Sequence, residues 1–219
     1  MLISRFGALA ATASLVACTT VSHLPLTPEA SAQLQGKSFA VVQHPIADFA
    51  AFTAGKAAFA IVGAAAMISE GNDIVKTNDV QDPARSIGKG LAAKLASARG
   101  MRHIPDNGSE TPSDEVATLA ATYPGADFIV DVKTLNWMFN YYPSDWAHYK
   151  VTYGARVRIV DSAGKKVVAE TMCRTVQGDD KNPPTKDQLL ENNATLLKKY
   201  LDQAVSGCVE VLSREILRL

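Results

Sequence analysis

The 219-residue chain has three cysteines and four histidines, too few and too scattered for a zinc cluster of ordinary ligand spacing, so no metal is expected. Net charge is also missing. Twenty-two basic side chains meet twenty-two acidic ones, which leaves a nucleic-acid partner bound by phosphate neutralisation without compositional support. No run of eighteen apolar residues occurs, and a spanning helix is therefore not expected. Nucleophile and cofactor motifs are absent too. There is no Gly-x-Ser-x-Gly, and the pair Gly55-Lys56 is followed by Ala57 where a phosphate loop needs Ser or Thr, with Ala50 where its first glycine belongs. No Cys-x-x-Cys marks a redox pair. The expectation is a protein that is not an enzyme and takes no cofactor. What remains, 47% hydrophobic and 20% charged, is the composition of an ordinary globular chain.

Residues 1–17 have the layout of a secretory signal: Arg5 precedes a short apolar stretch over 6–17 that ends at Cys18. Leu15-Val16-Ala17-Cys18 resembles the lipobox of bacterial lipoproteins. That resemblance implies that the peptide 1–17 is removed, that Cys18 is acylated, and that the protein is held to a membrane by its N-terminal lipid. In that class a residue other than Asp after the cysteine favours the outer membrane, and Thr19 fits. The expected location is the outer membrane, facing the periplasm. Loss of residues 1–17 removes only Arg5, so the mature chain stays near neutrality. Residues 18–36, with Pro25, Pro28, Ser22, Ser31 and Gly36, read as a lipidated tether, and 37–219 as a single periplasmic α/β domain.

Along that domain, residues 37–43 read as a strand stopped by Pro45. Asp82-Pro83 supplies a cap and first-turn proline for a helix with Ile87, Leu91, Leu95 and Ala98 on one side, closed by Gly100. A short strand over 101–104 and a helix opened by Thr111-Pro112-Ser113-Asp114 follow. From Ala126 the pattern turns to strands, with a slip in apolar parity near Thr134 that predicts a bulge. A second strand over 146–160, a turn at 161–164 and a third strand over 166–174 complete an antiparallel meander. A long amphipathic helix from Lys186 ends the chain, with Ser206-Gly207 as the expected place for a bend. The fold class is α+β: a mixed sheet with a C-terminal antiparallel three-stranded meander, helices packed on one face, and a long C-terminal helix. The order and punctuation, Asp82-Pro83-Ala84 with Ile87 and Leu91, then residues 126–130, then 161–168, are similar to lipoproteins of the curli-secretion-channel type and to the N-terminal domain of the Tol-system propeller protein. An apolar insertion at about 46–81 departs from that plan.

Three groups of residues are candidates for function. Cys173 and Cys208 are left in a compartment that permits disulfides, either bonded or as two buried thiols. Trp137, Phe139, Tyr141, Tyr142, Trp146 and Tyr149 crowd one hairpin, either as cross-strand packing or as a surface for an envelope protein, a glycan or a bilayer. In the Ala-rich stretch 49–68, a helix would align Ala51, Gly55, Phe59 and Gly63, with the last three as membrane or oligomer contacts if the stretch is not core. The expected function is a lipid-anchored envelope binding or assembly factor. The alternative, implied by the channel resemblance, is a homo-oligomeric secretion channel or pore built with residues 46–75. Asp127 and Asp131 read as loop caps or solvent-facing groups, and the four histidines as solvated or locally bonded.

Overall fold

A computed structural model describes residues 21–57, 60–105, 108 and 110–219. The signal sequence, Cys18 and Phe59 lie outside the described residues. The elements run α1 (Pro28–Gln33), β1 (Ser38–Val41), β2 (Ala50–Phe52), α2 (Ala54–Ala57), α3 (Ala60–Thr77), α4 (Pro83–Arg99), β3 (Arg102–His103), α5 (Val116–Thr122), β4 (Phe128–Tyr142), β5 (Asp145–Asp161), β6 (Lys166–Gln177) and α6 (Lys186–Val211), closed by a π-helical turn, Leu212–Ile216. The fold is α+β, with a mixed sheet and a long C-terminal helix, as the sequence pattern predicts; the sheet has six strands, one more than the pattern gives, because β2 joins it.

The sheet order is β3-β1-β4-β5-β6, and β2 joins β4 farther along the strand than β1 does. β3, β1 and β4 are parallel, as are β2 and β4, whereas β4, β5 and β6 form the antiparallel meander. The parity slip is a bulge between Thr134 and Asn136. It turns Phe128, Val130, Val132, Trp137 and Phe139 toward one face, where α4 and α6 bury them with Ile87, Leu91, Leu197 and Leu201. Asp82 fixes α4 to this bulge. Its side chain accepts from Ala84 N at the helix start and from the Thr134 hydroxyl at 2.5 Å, and Thr134 meets the buried Tyr153 hydroxyl at 3.1 Å. The short α5 packs on the other face, where Leu119 and Tyr123 cover Ala40, Ile129 and Val160.

Three expectations are corrected. The tether is shorter than residues 18–36: Leu24 exchanges backbone hydrogen bonds with Glu170 on β6, Thr27 caps α1, and Leu26 and Leu34 are buried in the main core. Burying these two leucines makes the segment part of the domain. The helices do not all pack on one face, since α5 lies opposite α4 and α6; the insertion 46–81 is built into the domain, since β2 pairs with β4 and α3 packs on β2. Gly71 lets them meet, because a Cβ there would stand 1.9 Å from the Phe49 carbonyl oxygen. Finally, α6 breaks at Glu191–Ala194, where Asn192, Asn193 and Ala194 take left-handed backbone angles, and not at Ser206-Gly207. Asparagine tolerates that region, whereas Ser206 satisfies its hydroxyl on Asp202 within an unbroken helix.

Candidate functional site

The face of the sheet opposite α4 and α6 has three zones. At the β1 end it is covered by α5. In the middle lies a buried ionic cluster, in which Asp131 takes neither the loop-cap nor the solvent-facing position expected of it. Asp131 is fully buried, and its carboxylate meets His44 Nε2 at 2.6 Å, Arg158 Nε at 2.8 Å and Arg156 Nη2 at 3.2 Å. Arg156 also reaches Asp114 at 3.0 Å, and Lys133 reaches the same oxygen at 2.9 Å. These bonds pin the loop before α5 to the strands. The Thr111 carbonyl can only accept, so His44 Nδ1 donates to it at 2.9 Å while Nε2 faces a carboxylate. Both ring nitrogens face acceptors.

Burial by itself pushes the Asp131 carboxyl up, but the His44 hydrogen bond and the charges of Arg158, His44 and Arg156 outweigh it, leaving the net direction downward. Asp114 shows the same contest. Burial raises it, and the hydrogen bonds and charges of Lys133 and Arg156 bring it to about 2. The signal for this cluster was available in the sequence. Asp131 pairs across the hairpin with Arg158, an opposite-charge pair, while Lys133 stands opposite Arg156, two like charges that both reach Asp114. Asp127, by contrast, caps a loop as expected, accepting from the Ser38 amide at 2.8 Å and its hydroxyl at 2.7 Å.

Beyond the cluster the third zone is bare, and it runs to the tip of the β4–β5 hairpin. A groove of about 330 Å³ lies there, lined by Phe52, Asn136, Asn140, Lys150, Thr152 and Arg174 among others. The lining Asn136 is seated over Gly154. A Cβ at that position would sit 2.7 Å from Asn136 Oδ1, so only glycine lets the Asn136 side chain lie over the strand. That oxygen is shielded from water and accepts no hydrogen bond. At the rim Phe52 stacks on Tyr141, with ring centres 5.9 Å apart and planes 18° apart, and Tyr141 meets Trp146 edge-on at 6.4 Å. Trp146 is 68% exposed, its N–H donating to the Pro143 carbonyl. Tyr142 is half-buried, its hydroxyl donating to Asp180 at 3.1 Å.

The six aromatics proposed as one surface therefore divide. Trp137, Phe139 and Tyr149 are core: the bulge turns Trp137 and Phe139 to that face, where Phe49 packs edge-on against Trp137 at 5.0 Å and Tyr149 of β5 packs edge-on against Phe139 at 5.5 Å. Tyr141, Tyr142 and Trp146 remain accessible. The small-residue stripe does not exist as a helix face: Ala51 is in β2, Gly55 is exposed on α2, and Gly63 is buried in α3. Lys56 ion-pairs with Glu70, which also meets Lys186 on α6. Cys173 on β6 and Cys208 on α6 are bonded, with Cα atoms 5.7 Å apart. Among the described residues no group of three or more His, Cys, Asp or Glu side chains is placed to hold a metal. No described helix is long and apolar enough to cross a membrane.

No family model matches the chain, and no curated protein matches it. Similar solved structures include a hypothetical protein of Chlamydia trachomatis, 12% identical, covering 84% of this chain and 99% of that one with a TM-score of 0.42. PelC of Paraburkholderia phytofirmans, a dodecamer, is 11% identical over 89% of this chain and 93% of its own, with a TM-score of 0.38. Lipoprotein GNA1162 of Neisseria meningitidis is 15% identical over 82% and 99%, also at 0.38. Likeness at this level transfers no activity or partner.

Proposed function

We propose that the protein is a non-catalytic, lipid-anchored binding or assembly factor of the outer membrane that faces the periplasm and presents its bare sheet end to an envelope partner. One observation carries this reading. Leu24 pairs antiparallel with Glu170, and His23 Nδ1 meets the Thr171 hydroxyl at 3.1 Å, so the chain traced back toward Val21 runs along β6 toward Gln177. Gln177 pairs with Val151, at the end of the sheet where the β4–β5 hairpin turns. Traced back to Val21, the chain thus heads toward the end of the sheet that carries the exposed Trp146. Buried acyl chains contribute about 0.8 kcal/mol per methylene, enough for several chains to hold a protein at a bilayer durably. Confinement there raises the effective concentration of the bare face for its neighbours.

The test is labelling with a palmitate analogue, fractionation, and photocrosslinking from position 142 in the envelope. The full-length protein is expected to take up label and fractionate with the outer membrane, and Cys18→Ser to do neither. Crosslinks from position 142 should disappear in Trp146→Ala. Label-free protein, or an unchanged crosslink pattern in that variant, refutes the respective half of the reading. A ring-forming subunit is the second reading. Since Phe49 and Ala51 are fully buried against β4, its contacts would have to come from the outward side of α3, where Ile68 is exposed. A monomeric delipidated protein in which residues 49–68 resist protease excludes it.

A further inference from the structure

The groove at the bare end of the sheet has a one-sided wall. Among the described residues, Lys150 and Arg174 are its only charged lining residues, and neither forms an ion pair there. Lys150 instead rests its ammonium 5.3 Å from the centre of the Tyr142 ring. In a chain whose charges balance overall, two uncompensated cations on one concavity call for an anion. The floor adds hydrogen-bonding capacity. Asn140 and Thr152 stand side by side in the lining, the hydroxyl donating to the amide oxygen at 3.0 Å, with the Asn136 side chain beside them. Asn136 and Arg174 both pair with Gly154 from opposite sides, which puts them two strand spacings, about 10 Å, apart across the groove. The rim supplies a flat apolar wall in Phe52 and Tyr141. The volume falls at the low end of ligand-binding clefts.

From these features we infer that the groove binds an acidic oligosaccharide, a chain of sugar rings carrying carboxylates. A pyranose has one face of C–H bonds that stacks on an aromatic wall, a rim of hydroxyls that both donate and accept, and, when oxidised, a carboxylate that matches the fork of an arginine. Each requirement has its partner here: Phe52 and Tyr141, Asn136 with Asn140 and Thr152, and Arg174 with Lys150. An acidic peptide would satisfy the cations but leave the amide floor and the stacking wall unused. This assignment rests on reading the bare end as the contact surface and names what it contacts.

The test is calorimetric titration of the full chain in detergent with tri-galacturonic acid, and with its methyl ester, which keeps the shape and removes the charge. The acid is expected to bind and the ester to bind at least tenfold more weakly. Lys150→Gln and Arg174→Gln should each weaken the acid about tenfold, the scale of a charge-assisted hydrogen bond. Phe52→Ala should weaken acid and ester alike. Lys198→Gln with Lys199→Gln on the far surface of α6 should change nothing. No binding at millimolar acid, equal binding of the ester, or equal loss from the α6 variant overturns the assignment. So does a hexa-aspartate peptide that binds as tightly as the sugar. Failure of all sugar binding while crosslinks near Trp146 persist sinks the saccharide and spares the anchored-factor reading. Normal sugar binding with no acylation of Cys18 does the reverse.

Discussion

Asp131→Asn is the sharpest probe of the buried cluster, because it preserves shape and removes one charge. The wild-type carboxylate is fully buried and is contacted by His44, Arg156 and Arg158, each less than a tenth exposed. With an amide in its place, two guanidiniums stay buried with only Asp114 near them, and the new NH2 group faces donors. Removing one partner of a buried ion pair costs about 3–5 kcal/mol, against a total stability of roughly 5–15. At about 2–4 °C per kcal/mol for a chain of this size, the melting temperature should fall on the order of 10 °C. Urea unfolding at pH 7 with the disulfide intact measures the loss. Asp145→Asn, which removes the exposed partner of His148, serves as the control and should cost under about 1 kcal/mol. A loss below about 1 kcal/mol for Asp131→Asn would refute the claim that these charges are desolvated and mutually dependent.

Further predictions follow from the same structure. Asp131 and Asp114 both ionise more readily folded than unfolded, so their contribution is fully present above about pH 4 and is lost as pH falls through the folded values, about 2 for Asp114. The gap between wild type and Asp131→Asn should therefore narrow in acid, and a gap unchanged from pH 7 to pH 2 contradicts the electrostatic account. Replacing Cys173 and Cys208 by Ser opens a 35-residue loop and should cost about 4 kcal/mol in the chain-entropy picture, read as a drop in the urea midpoint that reductant reproduces in wild type. Gly71→Ala forces α3 off the Phe49 carbonyl and should destabilise by about 1–3 kcal/mol, with a melt indistinguishable from wild type as the refuting result. Trp146→Ala should leave stability within about 0.5 kcal/mol, since its ring is mostly in solvent.

Much of this architecture is written in local chemistry. Asp82-Pro83 at the start of α4 and Gly100 at its end act through the geometry of neighbouring residues, so the element is legible without knowledge of the rest. The bulge is legible for the same reason, since strand parity is a local property. What a strand faces is not. Trp137, Phe139 and Tyr149 look like Trp146 in composition, and only the placement of α4 and α6 decides that three are core and one is not. β2 is harder still. Three residues give too short a period to count, and the strand exists because Phe49 needs the edge of Trp137 and Gly71 admits its backbone. The left-handed break in α6 rests on two asparagines that read equally well as exposed helix positions.

The same parity that hid the ionic cluster explains why the groove exists. After the bulge, Asn136, Met138 and Asn140 occupy the face that Ile129 and Asp131 occupy before it. The seven-residue α5 is about 10 Å long and covers only the first stretch. The loop held by Asp114 covers the second, leaving the third to water. An apolar replacement of the cluster would stabilise about as well, so stability alone does not explain the charges. Their geometry does more: Arg156 and Arg158 bind the loop through Asp114 at one level of β5, and the next positions on the same face of that strand, Gly154 and Thr152, have only side chains of the neighbouring strands over them. The cluster sets the edge at which the sheet stops being core and becomes surface, and it holds that edge beside the unpaired cations of the groove.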